Sequence, residues 1–144
     1  MPAGNMYQST FEGGIEHLAA IRQFIHQATL DLGCNEDDIF ACELATDEAA
    51  SNAFEHAYAG RGGRIEVKAW REGDSCMICV RNWGVPFDPA AIPEPDLLAP
   101  LDERSMGGLG IFLIRKVMDH VSFTFDAAEG NTIVMRRKLA REGT

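Results

Sequence analysis

Glu43-Leu-Ala-Thr-Asp47-Glu48-Ala-Ala-Ser-Asn52-Ala-Phe-Glu-His56-Ala-Tyr58 decides how this chain folds. It reads as the body of a helix that opens at Asn35, a good N-cap, and ends before Gly60. Glu36, Asp37 and Asp38 fill its first turn, where the helix dipole favours negative charge. Glu48, Asn52 and His56 stand four apart, so they form one stripe that drifts only about 40° per step. The stripe continues back to Ala45 and Ala41. Polar groups on an alanine-lined face imply either close helix packing or a cavity. A carboxylate and a carboxamide one turn apart can hold a metal and orient a hydroxyl, and a single amide oxygen suffices for Mg2+, which keeps most of its waters.

Working outward, residues 6–12 alternate weakly and predict a first strand, broken by Gly13-Gly14. Ile15, Leu18, Ile21, Ile25, Ala28 and Leu32 recur in steps of three and four, one face of a helix stopped by Gly33. On the other side, 64–70 and 76–83 flank the turn Glu72-Gly73-Asp74 as a hairpin. Five of the six prolines crowd into positions 86–100, which excludes a helix or central strand and predicts a stiff lid loop over about 86–106. Gly107-Gly108-Leu109-Gly110 opens a third helix reaching about Asp119, and 121–125 with 132–139 close the chain as a second hairpin. Three helices and five strands predict one α+β domain over 1–144: a two-layer sandwich whose mixed, mostly antiparallel sheet is covered on one face by helices.

Composition narrows the function. Thirteen Lys plus Arg against 22 Asp plus Glu give a net charge of −9 over 144 residues, which argues against nucleic acid and anionic membranes as partners. With 46% hydrophobic residues the chain supports one core, and no apolar run is long enough to span a membrane. The N-terminal residues lack the order of a signal peptide, so the expected location is the cytoplasm. Cys76-Met-Ile-Cys79 has zinc-knuckle spacing, but on a strand the two thiols face opposite sides, and free thiols are the simpler reading.

Two further clusters carry chemistry. Glycines at a helix start let the backbone approach a ligand closely, and the free N–H groups there bind phosphate. Neither a dinucleotide fingerprint nor a Walker loop is present. In Arg81-Asn82-Trp-Gly84-Val-Pro86 a strand ends in a polar residue and a turn. The order of these pieces, a helix with Glu48, Asn52 and His56, a polar-x-Gly turn, a lid and then GGLG, resembles the ATP site of the superfamily of gyrase, the heat-shock chaperone, histidine kinases and mismatch-repair ATPases. Within it the chain looks most like the anti-sigma-factor serine/threonine kinases, a match that covers nearly its whole length. Its most specific pieces are Asp47 to Tyr58 and Asp102-Glu-Arg104-Ser-Met-Gly107-Gly-Leu-Gly110-Ile-Phe-Leu-Ile.

The resemblance implies a Bergerat-type ATP-binding fold and a set of roles. Glu48 would be the general base and Asn52 the Mg2+ ligand. Arg104 would reach the terminal phosphate, and Gly107, Gly108, Leu109 and Gly110 would offer N–H groups to the phosphates of ATP. Asn82 and Gly84 would border the adenine, with Thr132 on the late strand beside it. His56 reads as a structural helix-end residue. The implied partners are a sigma factor and an anti-anti-sigma antagonist, with a homodimer as a further possibility. Asn82 stands where the family carries Asp, and Pro86 where it carries a second glycine; a neutral amide accepts from the adenine amino group more weakly. A protein-binding switch with impaired nucleotide use is therefore the alternative, and an isolated histidine-kinase catalytic domain a third reading.

Overall fold

The computed structural model describes residues 5–86 and 106–139. Strand β1 (Tyr7–Gly13) is followed by a single 3-10 turn and helix α1 (Leu18–Asp31). Helix α2 (Glu36–Asn52) follows, then β2 (Gly63–Glu72), β3 (Ser75–Asn82), α3 (Met106–Val117), β4 (His120–Asp126) and β5 (Gly130–Lys138). The strands form one sheet in the order β1-β2-β3-β5-β4, and every pairing is antiparallel. The expected two-layer α+β architecture is thus present, with no parallel pair among the described residues.

Period-two alternation builds the sheet's inner face. Ile65, Val67 and Ala69 on β2, Cys76, Ile78 and Val80 on β3, and Ile133 and Met135 on β5 are all buried. They meet Ile21 and Ile25 of α1, Ala45, Ala49 and Ala53 of the α2 arm, and Ile114 of α3 in one core. A fully buried Ile78 contributes about 1.5–3 kcal/mol by leaving water. Cys76 faces this core while Cys79 lies on the opposite side, half exposed, and Cys42 Sγ packs 4.0 Å from Cys76 Sγ.

Asn35 caps α2 as its sequence requires, its side chain accepting from the Asp38 N–H at 2.8 Å. Three details depart from the sequence reading. Ile15, placed on the apolar face of the first helix, sits in the preceding 3-10 turn and is 67% exposed. The third helix stops at Val117 rather than Asp119. The long second helix is α-helical only to Asn52 and widens into a π segment over Ala53–Ala57, closed by a Tyr58 N–H to Ala53 O bond of 3.0 Å. The wider turn brings Phe54 and Ala57 into the core and leaves His56 on the exposed side, off the stripe on which four-residue spacing placed it.

Candidate functional site

The alanines of α2 let it lie close to the sheet, and the same face carries the polar pair. Asn52 is 2% exposed, and its Nδ2 is buried with no hydrogen-bond partner among the described residues. Glu48 lies one turn earlier and is half-buried. Burial pushes its carboxyl above the usual range, and the neighbouring Asp47 charge adds to the effect. Opposite them is Gly110 of α3. A Cβ at this glycine would lie 2.8 Å from Glu48 Oε2, 3.3 Å from Asn52 Nδ2 and 3.4 Å from Asn52 Oδ1. The Glu48–Asn52 pair of α2 and Gly110 of α3, distant in sequence, thus converge at a point where a larger residue would displace the Glu48 carboxylate.

Gly107, Gly108 and Leu109 belong to the first turn of α3, where backbone N–H groups have no partner within the helix. That turn is continuous with Gly110 and hence adjacent to Glu48 and Asn52. Arg104 and most of the expected lid fall outside the described residues.

A second polar centre forms where β3 and β5 meet. Asn82 and Asn131 are register partners across the ladder and both are buried, at 5% and 4% exposure. Asn82 Oδ1 accepts two bonds, from the Gly84 N–H at 3.0 Å and from Asn131 Nδ2 at 2.9 Å. Asn131 Nδ2 also donates to Gly84 O at 3.0 Å, and Asn131 Oδ1 is buried without a partner among the described residues. Gly84 is tightly enclosed: a Cβ there would lie 2.4 Å from Ala57 O, which itself accepts from the Val85 N–H at 2.8 Å. The π segment of α2 therefore fixes the turn after β3. Trp83, between Asn82 and Gly84, is flanked by two guanidinium groups, Arg64 at 3.9 Å and Arg81 at 4.9 Å from the ring centroid.

The period of two turns Asn131, Ile133 and Met135 inward and pairs Thr132 with Arg81 and Thr124. A narrow cavity is bordered by Ala49, Ala53, Val80, Asn82, Phe123 and Asn131, with Thr132 also on its border. Asn131, which the sequence reading passed over, is the residue of β5 that reaches Asn82. Its signal was present in the alternation Asn131, Ile133, Met135.

The polar atoms suit a magnesium-bound polyphosphate. Asn52 Nδ2, a donor without a partner among the described residues, can bond a phosphate oxygen, Gly110 leaves space beside it, and the oxygen of the same amide is the kind of ligand that Mg2+ requires. Asn52 would hold the ion through its side-chain oxygen.

Comparison with known proteins identifies the family of the chain. A family model for the histidine kinase-like ATPase domain matches residues 11–137. The serine-protein kinase RsbW of Bacillus cereus (strain Q1) is 30% identical over 131 residues, covering 88% of this chain and 81% of the relative. The RsbW of Bacillus thuringiensis subsp. konkukian (strain 97-27) matches with the same identity and coverage. Among solved structures, a Mycobacterium tuberculosis protein with RsbU and RsbW domains superposes with a TM-score of 0.69 at 19% identity. That match covers 95% of this chain and 32% of the solved one, and it bears on the fold alone. The chain belongs to the histidine kinase-like ATPase family and, within it, to the anti-sigma-factor serine kinases.

Proposed function

We propose that this protein is an ATP-dependent serine/threonine kinase that sequesters a sigma factor and phosphorylates the anti-anti-sigma protein that would displace it. The convergence of Glu48, Asn52 and Gly110 carries this reading. Bound magnesium ATP supplies the γ-phosphoryl group. Glu48 accepts the proton of the incoming hydroxyl, and its raised pKa makes it a better base than a solvated carboxylate, provided it is ionised. Asn52 would hold the metal. The N–H groups of Gly107 to Gly110 would donate to phosphate oxygens, and Arg104 would neutralise charge on the group in transit. A chain of net charge −9 repels a polyanion at long range, so these local devices must supply the attraction. The same acidity suits a cytoplasmic regulator that meets a basic protein surface rather than DNA.

Incubation with labelled ATP, Mg2+ and an anti-anti-sigma protein tests the proposal. Label on a serine or threonine of the acceptor is expected, with loss of transfer in Glu48→Ala. Undiminished transfer by that variant would remove Glu48 from its role.

One observation favours a second reading, a sequestering switch with impaired adenine binding. Asn82 Oδ1, the acceptor that an adenine amino group needs, is already engaged by Gly84 and Asn131. Calorimetry with magnesium ATP separates the two, since millimolar or absent binding favours the switch.

A further inference from the structure

The charge of this chain is spread unevenly. Residues 12–55, which hold α1 and α2, carry ten Asp plus Glu against a single Arg or Lys, Arg22. The rest of the chain carries twelve acids against twelve bases, so the whole net charge of −9 sits in that one stretch. Along the outer seam between α1 and α2 runs a ladder of pairs, Arg22 Nε to Asp47 Oδ1 at 3.2 Å and His26 Nδ1 to Glu43 Oε2 at 3.0 Å. The next rung of that antiparallel progression sets Leu30 beside Phe40. Polar pairing there gives way to bare apolar side chains: Phe40 is 67% exposed and Leu30 51%, and no aromatic ring among the described residues is more exposed than Phe40. Leu44, one turn beyond Phe40, is half-buried on the same crest of α2. Asp31, Glu36 and Asp37 are exposed around this patch, with Glu43 at its edge.

We propose that the Leu30–Phe40 face docks a cationic amphipathic helix of a partner protein. The inference deepens the sequestering half of the reading above, and rests on it only in taking the chain to hold another protein; it does not involve Glu48, Asn52 or Gly110. Apolar side chains one turn apart on the incoming helix would cover Phe40 and Leu30, and its Lys and Arg residues would meet Asp31, Glu36, Asp37 and Glu43. Charge selects this occupant over the others. A second copy would set the same acids against themselves, a like-charge contact that costs free energy. The chain's own segment 87–105 has apolar residues at Ile92, Leu97, Leu98 and Leu101, but it carries five acids against Arg104 alone and would be repelled likewise. A basic helix is instead drawn in from a distance, and it buries its own apolar stripe on contact.

Fluorescence anisotropy of the intact chain with a labelled Leu/Lys amphipathic peptide of about 18 residues, long enough to hold a helix, tests this. The control is a scrambled peptide of the same composition without helical periodicity. The wild type is expected to bind the amphipathic peptide at least about ten-fold more tightly than the scrambled one. Phe40→Ala and Leu30→Ala remove exposed side chains and leave the core intact, and each should weaken binding by about ten-fold. Ile15→Ala, which removes an equally exposed side chain before the other end of α1, should leave binding unchanged. No binding by the wild type overturns the inference, as does unchanged binding in Phe40→Ala. Equal binding of the two peptides overturns it too, because that shows only the attraction of a polycation to an acidic chain. A dimer in sedimentation velocity that Phe40→Ala dissolves would give the face to a second copy and has the same effect. A wild type that binds the peptide through Phe40 yet retains no sigma factor keeps this surface and removes the sequestering reading, whereas failure with the peptide leaves that reading standing.

Discussion

Arg137 Nε donates to Asp38 Oδ1 at 2.9 Å while its Nη1 donates to Val117 O at 2.7 Å, so one guanidinium joins the start of α2, the end of α3 and β5. Asp38 has a side chain only 3% exposed, against 25% for Arg137. Removing one member of such a pair leaves the other charge without compensation. Asp38→Ala is expected to cost about 2–4 kcal/mol, tempered by Arg137's partial access to water. Urea unfolding midpoints of the wild type and the variant check this. A change below about 0.5 kcal/mol would mean that water replaces the carboxylate at no cost.

Gly110→Ala should separate stability from activity. Alanine is favoured over glycine within a helix by about 1 kcal/mol, and the nearest atom its Cβ meets is the mobile end of Glu48. The fold is expected to hold, with a Tm within a few degrees of the wild type. Glu48 must move off its position, however, and displacing a catalytic group by about 1 Å can lower transfer by about a hundred-fold. Phosphoryl transfer measured beside thermal unfolding reads both effects. Normal transfer would show that Glu48 and Gly110 are not in contact during the reaction.

Glycine is required at position 84 for a different reason. The Cβ of Gly84→Ala would press on Ala57 O, a backbone atom held by the Val85 N–H, and on the Ala57 side chain. Backbone cannot swing aside as a Glu terminus can, so the variant should lose about 1–3 kcal/mol. It should also weaken nucleotide binding, because Gly84 orients both Asn82 and Asn131. Chemical denaturation combined with nucleotide titration checks the pair of effects; a stable variant would mean that the π segment yields.

These glycines show what the sequence discloses and what it withholds. Elements with strong periodicity were legible, from the Asn35 cap to both hairpins, because local chemistry determines them. Glu48 and Asn52 were legible as a pair because one helical turn separates them. Asp38 was read as a dipole residue of the first turn, yet it turns inward to a partner 99 positions away, which no local pattern encodes. His56 was misplaced because four-residue spacing presumes an α-helix. The π turn follows from the burial of Phe54 and Ala57 against the sheet, a tertiary demand. Thr132 came from the family resemblance, whereas Asn131, which the register of β5 sets opposite Asn82, was not singled out.

The pH dependence of the protein should carry the signature of Glu48. Its folded-state pKa is raised above the ordinary carboxylate value of 4.5, first by burial and then by Asp47. The folded protein therefore holds this proton more tightly than the unfolded chain. The resulting stabilisation is complete below the unfolded-state pKa and is lost as pH rises through the folded-state value. Glu48→Gln, which cannot ionise, should accordingly lose less stability than the wild type over this rise, as denaturant midpoints across about pH 4 to 8 would show. Activity runs the opposite way, because only the ionised carboxylate can accept the hydroxyl proton. Wild-type transfer should climb through an apparent pKa above the ordinary carboxylate value, whereas any residual transfer in Glu48→Gln should lack that limb. A wild-type profile flat down to the ordinary range would show that Glu48 is ionised throughout and that its burial is relieved when substrates bind.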